Sequence, residues 1–86
     1  MPTNDPDPPR WLVRAPADLG RAIAGVRRAR GLTQECLAQE LGIKRSYLSE
    51  LEAGASTLAL ERTLRALRRL GADVTVTLRD DDGSPR

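Results

Sequence analysis

The segment that most constrains this chain is TQECLAQELGIKRSYLSELEAG, which occupies residues 33–54. Gly42 stands near its middle, and glycine is the residue that most readily ends a helix and permits a sharp turn. Leucines on both sides of Gly42 recur at the three- and four-residue spacing of one helical face: Leu37, Leu41, Leu48 and Leu51. The segment therefore predicts two short helices joined by a tight turn.

The ends of these two helices can be placed from their flanking residues. Thr33 is a natural N-cap, so the first helix is expected from about residue 34 to 41. The second is expected from about residue 44 to 53, with Gly54 closing it. This arrangement predicts a helix-turn-helix, whose second helix normally lies in the major groove of DNA.

Helical patterns also flank the central segment. A helix is expected from near Asp18 to about Arg30, and another is expected to end at about Leu70. Each has one apolar stripe predicted to face the core: Leu19, Ala22, Ile23 and Val26 in the first, and Leu60, Leu64, Leu67 and Leu70 in the last. The fold class is therefore mostly α.

Beyond the last helix the hydrophobic period changes. Val74, Val76 and Leu78 alternate with polar residues, which predicts a strand. A lone strand leaves its backbone amides unpaired, so it must pair with residues 11–13, with the same strand of another copy, or with a partner. Residues 11–13 are themselves interpreted as a brief strand or as a loop that packs Trp11 on the body.

The chain divides into four predicted parts. Residues 1–16 form a flexible proline-rich arm, and residues 17–71 form the helix-turn-helix domain. Residues 72–79 carry the strand, and residues 80–86 are expected to be a disordered acidic tail.

Composition limits the chemistry. The 86 residues include no His and a single Cys, so the usual general base, an intrachain disulfide and a Cys-rich zinc site are all missing. We therefore expect no enzyme activity, no metal and no cofactor. Without a signal peptide or a membrane-spanning run, we expect a cytoplasmic protein with no membrane partner. The net charge of +2 comes mainly from arginine, which is compatible with phosphate binding.

The residues at the start of the second helix of the motif are unfavourable for helix stability. Lys44 and Arg45 place positive charge where the helix dipole disfavours it, and Ser or Thr in place of Lys44 would cap better by about 1 kcal/mol. We therefore expect Lys44 and Arg45 to reach DNA base edges or phosphates, with Ser46 and Ser49 on the same exposed side. The alternative is that these are merely solvated polar residues.

Three other residues suit the DNA backbone. Thr33 and Gln34 lie at the start of the first helix of the motif, where amides favour a phosphate. Tyr47 is expected either to donate its hydroxyl to a phosphate or to pack under the helix. Cys36 lies on the polar face and is interpreted as a bystander.

The pattern T-Q-x2-L-A-x2-L-G-[IV]-x4-L-S-x-L-E-x-G resembles the Cro/C1-type (XRE) helix-turn-helix family. The resemblance implies a lambda-repressor-like domain of four to five helices. It also implies a partly buried ion pair between Arg27 and Glu52. The chain departs from the family at Lys44, where Ser or Thr is usual, and at Leu58, where Pro is usual.

The two ends of the domain, RWLVRAPADLG and LGADVTVTL, resemble those of HipB-type antitoxins. That resemblance implies a homodimeric autorepressor that binds palindromic double-stranded operator DNA and a HipA-like Ser/Thr kinase toxin in a bacterial cytoplasm. It also implies that Val74, Val76 and Leu78 form a two-stranded sheet across the dimer. The alternative is a stand-alone XRE-family transcriptional regulator without a toxin.

Overall fold

The protein is described by a computed structural model that covers residues 8–79. In chain order its elements are β1 (Arg10–Val13), α1 (Pro16–Ala29), α2 (Gln34–Leu41), α3 (Arg45–Glu52), α4 (Leu58–Arg69) and β2 (Val74–Thr77). The fold of this part is mostly helical, with four helices and one antiparallel pair of strands. None of these helices is long and apolar enough to cross a membrane.

The two ends predicted to be disordered lie largely outside this range. Residues 1–7 of the arm and the whole acidic tail, 80–86, fall outside the described residues. The remainder of the arm is structured, because it contains β1 and the first residue of α1.

Helix α1 begins two residues earlier than expected, at Pro16 instead of Asp18. Proline at the first helical position costs nothing, because that amide has no partner within the helix. The carboxylate of Asp18 accepts hydrogen bonds from the backbone amides of Arg14 and Ala15, at 2.9 and 3.0 Å. Asp18, in the first turn of α1, therefore provides the hydrogen-bond acceptor for the two backbone amides just before the helix.

Helix α1 packs directly against the end of α3. Gly20 is buried, and a Cβ atom at this position would lie 2.5 Å from the backbone oxygen of Glu52. A side chain there would push the helices apart. The core around this contact is small and aliphatic, and its most buried side chains are Val13, Ala22, Ala24, Ala38, Leu48 and Leu64.

The two strands pair within one chain, Arg10 opposite Thr77 and Val13 opposite Val74. Of the three partners left open for the C-terminal strand, residues 11–13 are the one that the structure shows, as part of β1. Pairing across a dimer stays a prediction, and it would have to use the other edge of β2. Cross-strand neighbours share a face of the sheet. Since Val13 is buried, its cross-strand neighbour Val74 and the next residue on that face, Val76, lie on the inner face of the sheet, where both are half-buried.

The outer edge of β2 lacks a strand partner within residues 8–79. The amide of Leu78 donates to the carbonyl of Pro9 at 3.0 Å, so alternate residues of β2 bond to β1. The register then directs the backbone groups of Thr75 and Thr77 away from β1. The backbone groups on one edge of β2 are thus hydrogen-bonded to β1, and those on the other edge face away from the sheet.

Helix α4 follows Thr57, whose Oγ1 accepts a hydrogen bond from the amide of Leu60 at 3.2 Å. Leu64 is buried as expected, and Leu60 and Leu67 are half-buried. Leu70, predicted to face the core, is 80% exposed. The reason is position: Leu70 follows the last residue of α4, and the small core ends before it.

Candidate nucleic-acid interface

The turn between α2 and α3 is set by its first and last residues. At the start of α2, Thr33 Oγ1 accepts a hydrogen bond from the amide of Cys36 at 3.0 Å. At its end, Gly42 has a φ of 70°, a left-handed conformation that residues with a side chain rarely adopt. The amide of Ile43 then bonds back to the carbonyl of Ala38 at 3.0 Å, which fixes the direction of α3.

An ion pair joins α1 to the end of α3, as the family resemblance implied. Arg27 Nε donates to Glu52 Oε2 at 2.7 Å, and Arg27 Nη2 donates to Glu52 Oε1 at 3.1 Å. Only 9% of the Arg27 side chain and 6% of the Glu52 side chain are exposed. The third nitrogen, Nη1, donates to the carbonyl of Leu32 at 2.9 Å. One guanidinium therefore holds α3 and the loop before α2 together.

Gln34 completes this cluster. Its Nε2 donates to Glu52 Oε1 at 3.0 Å, so the start of α2 is tied to the end of α3. The hydrogen bonds from Arg27 lower the pKa of Glu52, and the bond from Gln34 and the charges of Arg27 and Arg28 act in the same direction against the effect of burial. The same pairing raises the pKa of Arg27. Both groups stay charged at neutral pH.

The start of α3 is organised differently. Lys44 is the N-cap residue, and its side chain makes no capping hydrogen bond. Lys44, Arg45, Ser46 and Ser49 are all exposed. Within residues 8–79 none of these four side chains has a hydrogen-bond or ion-pair partner. Leu48 on the opposite side of the helix is 1% exposed and anchors α3, so the polar residues project from a fixed helix.

The residues predicted to contact phosphates occupy different environments. Thr33 uses a lone pair of its hydroxyl oxygen as a cap, which leaves the hydroxyl proton available to a phosphate. Gln34 is half-buried and directs its amide toward Glu52, so its first role is to hold the cluster. Tyr47 is 51% exposed and does not pack under α3. Their contacts with phosphate stay predictions.

A groove of about 500 Å³ adjoins this surface, and the sequence analysis did not predict it. Trp11 of β1 forms one wall and lies against Gly25 of α1. Gln34, Ser49 and the exposed Arg28 also line the groove. The available signal was the position of Arg28, which directly follows the arginine that the resemblance places against Glu52.

Comparison with known proteins agrees with this geometry. A family model described as a helix-turn-helix domain matches residues 6–79. This chain belongs to that helix-turn-helix family. An uncharacterized HTH-type transcriptional regulator, y4mF, of Sinorhizobium fredii is 31% identical over 64 residues, which cover 74% of this chain and 84% of the relative. No solved structure matches. The chain is thus a member of a family of DNA-binding transcriptional regulators.

Proposed function

We propose that this chain is an XRE-type transcriptional repressor that binds a palindromic operator as a homodimer. The observation that carries the proposal is the start of α3, where Lys44, Arg45 and Ser46 project without partners among residues 8–79. Arginine recognises guanine O6 and N7 through two hydrogen bonds, and the N-terminal residues of a recognition helix are those that meet base edges. The proposal includes no catalytic step, no metal and no cofactor.

The test is operator binding by the full-length chain. The probe is a duplex from the promoter upstream of its own reading frame, with a shuffled duplex as a reference at matched salt. Lys44→Ala combined with Arg45→Ala should abolish selective binding while circular dichroism shows unchanged helix content. Equal affinity of the double variant and the wild type for the operator would refute DNA recognition by α3.

Support for a homodimer comes from the open edge of β2. Thr75 and Thr77 direct their backbone groups away from β1, and an exposed edge is a template for another strand. The β2 strands of two copies would then join two short sheets into one. The exposed Leu70 near the end of α4 lies a few residues before β2 along the chain, and a dimer would give it cover. Two α3 helices would meet half-sites about 34–36 Å apart, or a multiple of that distance.

A substitution confined to the outer edge separates dimerisation from folding. Thr75→Pro removes an outward amide proton and leaves the hydrogen bonds to β1 in place. Thr75→Ala keeps that proton and is the matched control. Sedimentation should show a weaker dimer for Thr75→Pro alone. A dimer of unchanged affinity would show that the copies associate elsewhere or that β2 has no role.

We further propose that the repressor is the antitoxin of a HipBA-like module and that it binds a HipA-like Ser/Thr kinase toxin in the bacterial cytoplasm. The support is the resemblance of residues 10–20 and 70–78 to HipB-type antitoxins. Co-expression with the product of the adjacent reading frame should yield a complex on affinity purification. A neighbouring frame without kinase features, or a kinase that does not co-purify, would refute the toxin partner.

The second candidate is a stand-alone regulator without a toxin. It is favoured by the name of the matching relative, which describes an HTH-type transcriptional regulator and mentions no toxin. Both candidates require operator binding, so only the partner experiment distinguishes them.

A further inference from the structure

The groove beside α3 contains an arginine that makes no hydrogen bond within the ion-pair cluster. Arg28 is exposed and follows Arg27 at the end of α1. Both oxygens of Glu52 are already engaged, Oε2 by Arg27 and Oε1 by Arg27 and Gln34. The guanidinium of Arg28 therefore stands near the cluster with no hydrogen-bond or ion-pair partner within residues 8–79.

The other cation that lines the groove is compensated. Arg21 pairs with the carboxylate of Asp18 in the first turn of α1. Glu52 is paired with Arg27, and Arg28 acts on its carboxylate only through its charge, so the donors of the Arg28 guanidinium stay unused among residues 8–79. A guanidinium with five donors and no acceptor of its own selects a planar or tetrahedral oxyanion such as a phosphate.

The position of the groove identifies the source of that phosphate. Its lining includes Ser49 from the exposed side of α3, which approaches DNA in the proposed function, and Gln34 from the first turn of α2, a predicted phosphate contact. The opposite wall is Trp11, which β1 holds opposite Val76 and which lies on Gly25. A strand of nucleic-acid backbone that leaves α3 on this side would pass through the groove.

We infer that Arg28 binds a phosphate of the DNA backbone in the groove between α3 and Trp11. The footprint of the protein then extends from the recognition helix across α1 to β1. This inference rests on the proposed DNA binding. Because phosphates carry no sequence information, Arg28 contributes affinity on every duplex and no discrimination between duplexes.

The test compares variants of the full-length chain that remove one positive charge. Arg28→Gln removes it from the groove, and Arg65→Gln removes it from the exposed face of α4, which does not line the groove. Affinity is measured across a salt series on the operator and on a shuffled duplex. Each phosphate contact contributes about 0.9 to the slope of log K against log salt. Arg28→Gln should make the slope shallower by about 1 per bound protomer on both duplexes, and Arg65→Gln should leave it unchanged.

Three further measurements serve as controls. Arg28→Lys keeps the charge and should retain the wild-type slope. The chain has a single tryptophan, so its emission reports directly on the groove wall and should change when the operator is added. Thermal unfolding of each variant shows whether a loss of affinity comes from a lost contact or from a destabilised fold.

Failure of the phosphate contact and failure of the proposed DNA binding give different results. If wild type and Arg28→Gln bind DNA with the same slope, the phosphate contact is refuted while DNA binding stands. A loss confined to the operator would also refute it, because it would mean a base contact. If the wild type binds neither duplex, the proposed function fails and this inference fails with it.

Discussion

Helices α2 and α3 each contain eight residues and belong to the same motif, yet their first turns are built in opposite ways. The start of α2 is held by the protein, since Thr33 caps its amides and Gln34 bonds to Glu52. The start of α3 has no side-chain cap among the described residues, because Lys44 makes no capping hydrogen bond, and Arg45 opposes the helix dipole.

Under the proposed function, the difference divides stability and DNA recognition between the two helices. A helix can be anchored at one end and exposed at the other, and α3 is anchored in its middle by Leu48 and at its C-terminus by Glu52. Its N-terminus forgoes local stabilisation, which is expected where a local rule is broken for a ligand. The contrast predicts that changes at the start of α2 and at Glu52 cost stability, whereas changes at the start of α3 cost DNA affinity.

The largest expected effect comes from removing the ion pair between Arg27 and Glu52, which anchors the end of α3. Glu52→Ala leaves Arg27 without its counter-charge and Gln34 without its acceptor. Unfolding free energy should fall by roughly 3 kcal/mol, the lower end of the cost of removing one partner of a buried ion pair. Urea denaturation followed by circular dichroism measures it. Glu50→Ala, an exposed glutamate on the same helix, is the control and should change stability little. Equal losses in the two variants would mean that the ion pair does not anchor α3.

Acid should weaken the same anchor more gently. The pKa of Glu52 is lowered in the folded protein by its bonds to Arg27, below the ordinary value of 4.5. A carboxylate with a lowered pKa adds stability that is complete above its unfolded pKa and is lost as pH falls through its folded pKa. Below pH 4.5 the stability difference between wild type and Glu52→Gln should therefore shrink. A difference that stays constant down to pH 2, about 2.5 units below that value, would contradict the charged pair.

The cap of α2 provides the next effect. Thr33→Ala should cost about 1 kcal/mol of unfolding free energy, since an amide of the first turn loses its acceptor. Thr57→Ala is the matched control, because it removes the corresponding cap of α4. The two variants should lose similar stability, but only Thr33→Ala should also weaken operator binding in a gel shift. If the two variants bind the operator with equal affinity, Thr33 does not contact a phosphate.

Local signals were sufficient for the motif itself. The predicted bounds of α2 agree with Gln34–Leu41, because a threonine cap and a left-handed glycine mark its two ends. The pairing of Arg27 with Glu52 came from the family resemblance and not from spacing, since the two residues lie far apart along the chain. The two residues of this ion pair are recognisable only because the motif fixes where α1 and α3 meet.

Features that depend on the whole chain were left open by the sequence or were missed. Residues 11–13 are a short apolar run between prolines, and nothing local distinguishes a strand there from a loop until β2 is placed beside it. The stripe on α4 has the right period through Leu70, but periodicity does not reveal where a small core ends. Arg28 stands out among the arginines only once Glu52 is known to be fully engaged.

The smallest expected change tests the comparison most directly, because it gives α3 the kind of start that α2 has. Lys44→Ser supplies a hydroxyl cap and removes a cation, so unfolding free energy should rise by up to about 1 kcal/mol while operator affinity falls. Lys44→Ala removes the same cation without supplying a cap, and it should lose affinity with no gain in stability. Denaturation and gel-shift measurements on both variants separate the two effects. If Lys44→Ser gains stability and keeps full affinity, the exposed start of α3 is not reserved for DNA.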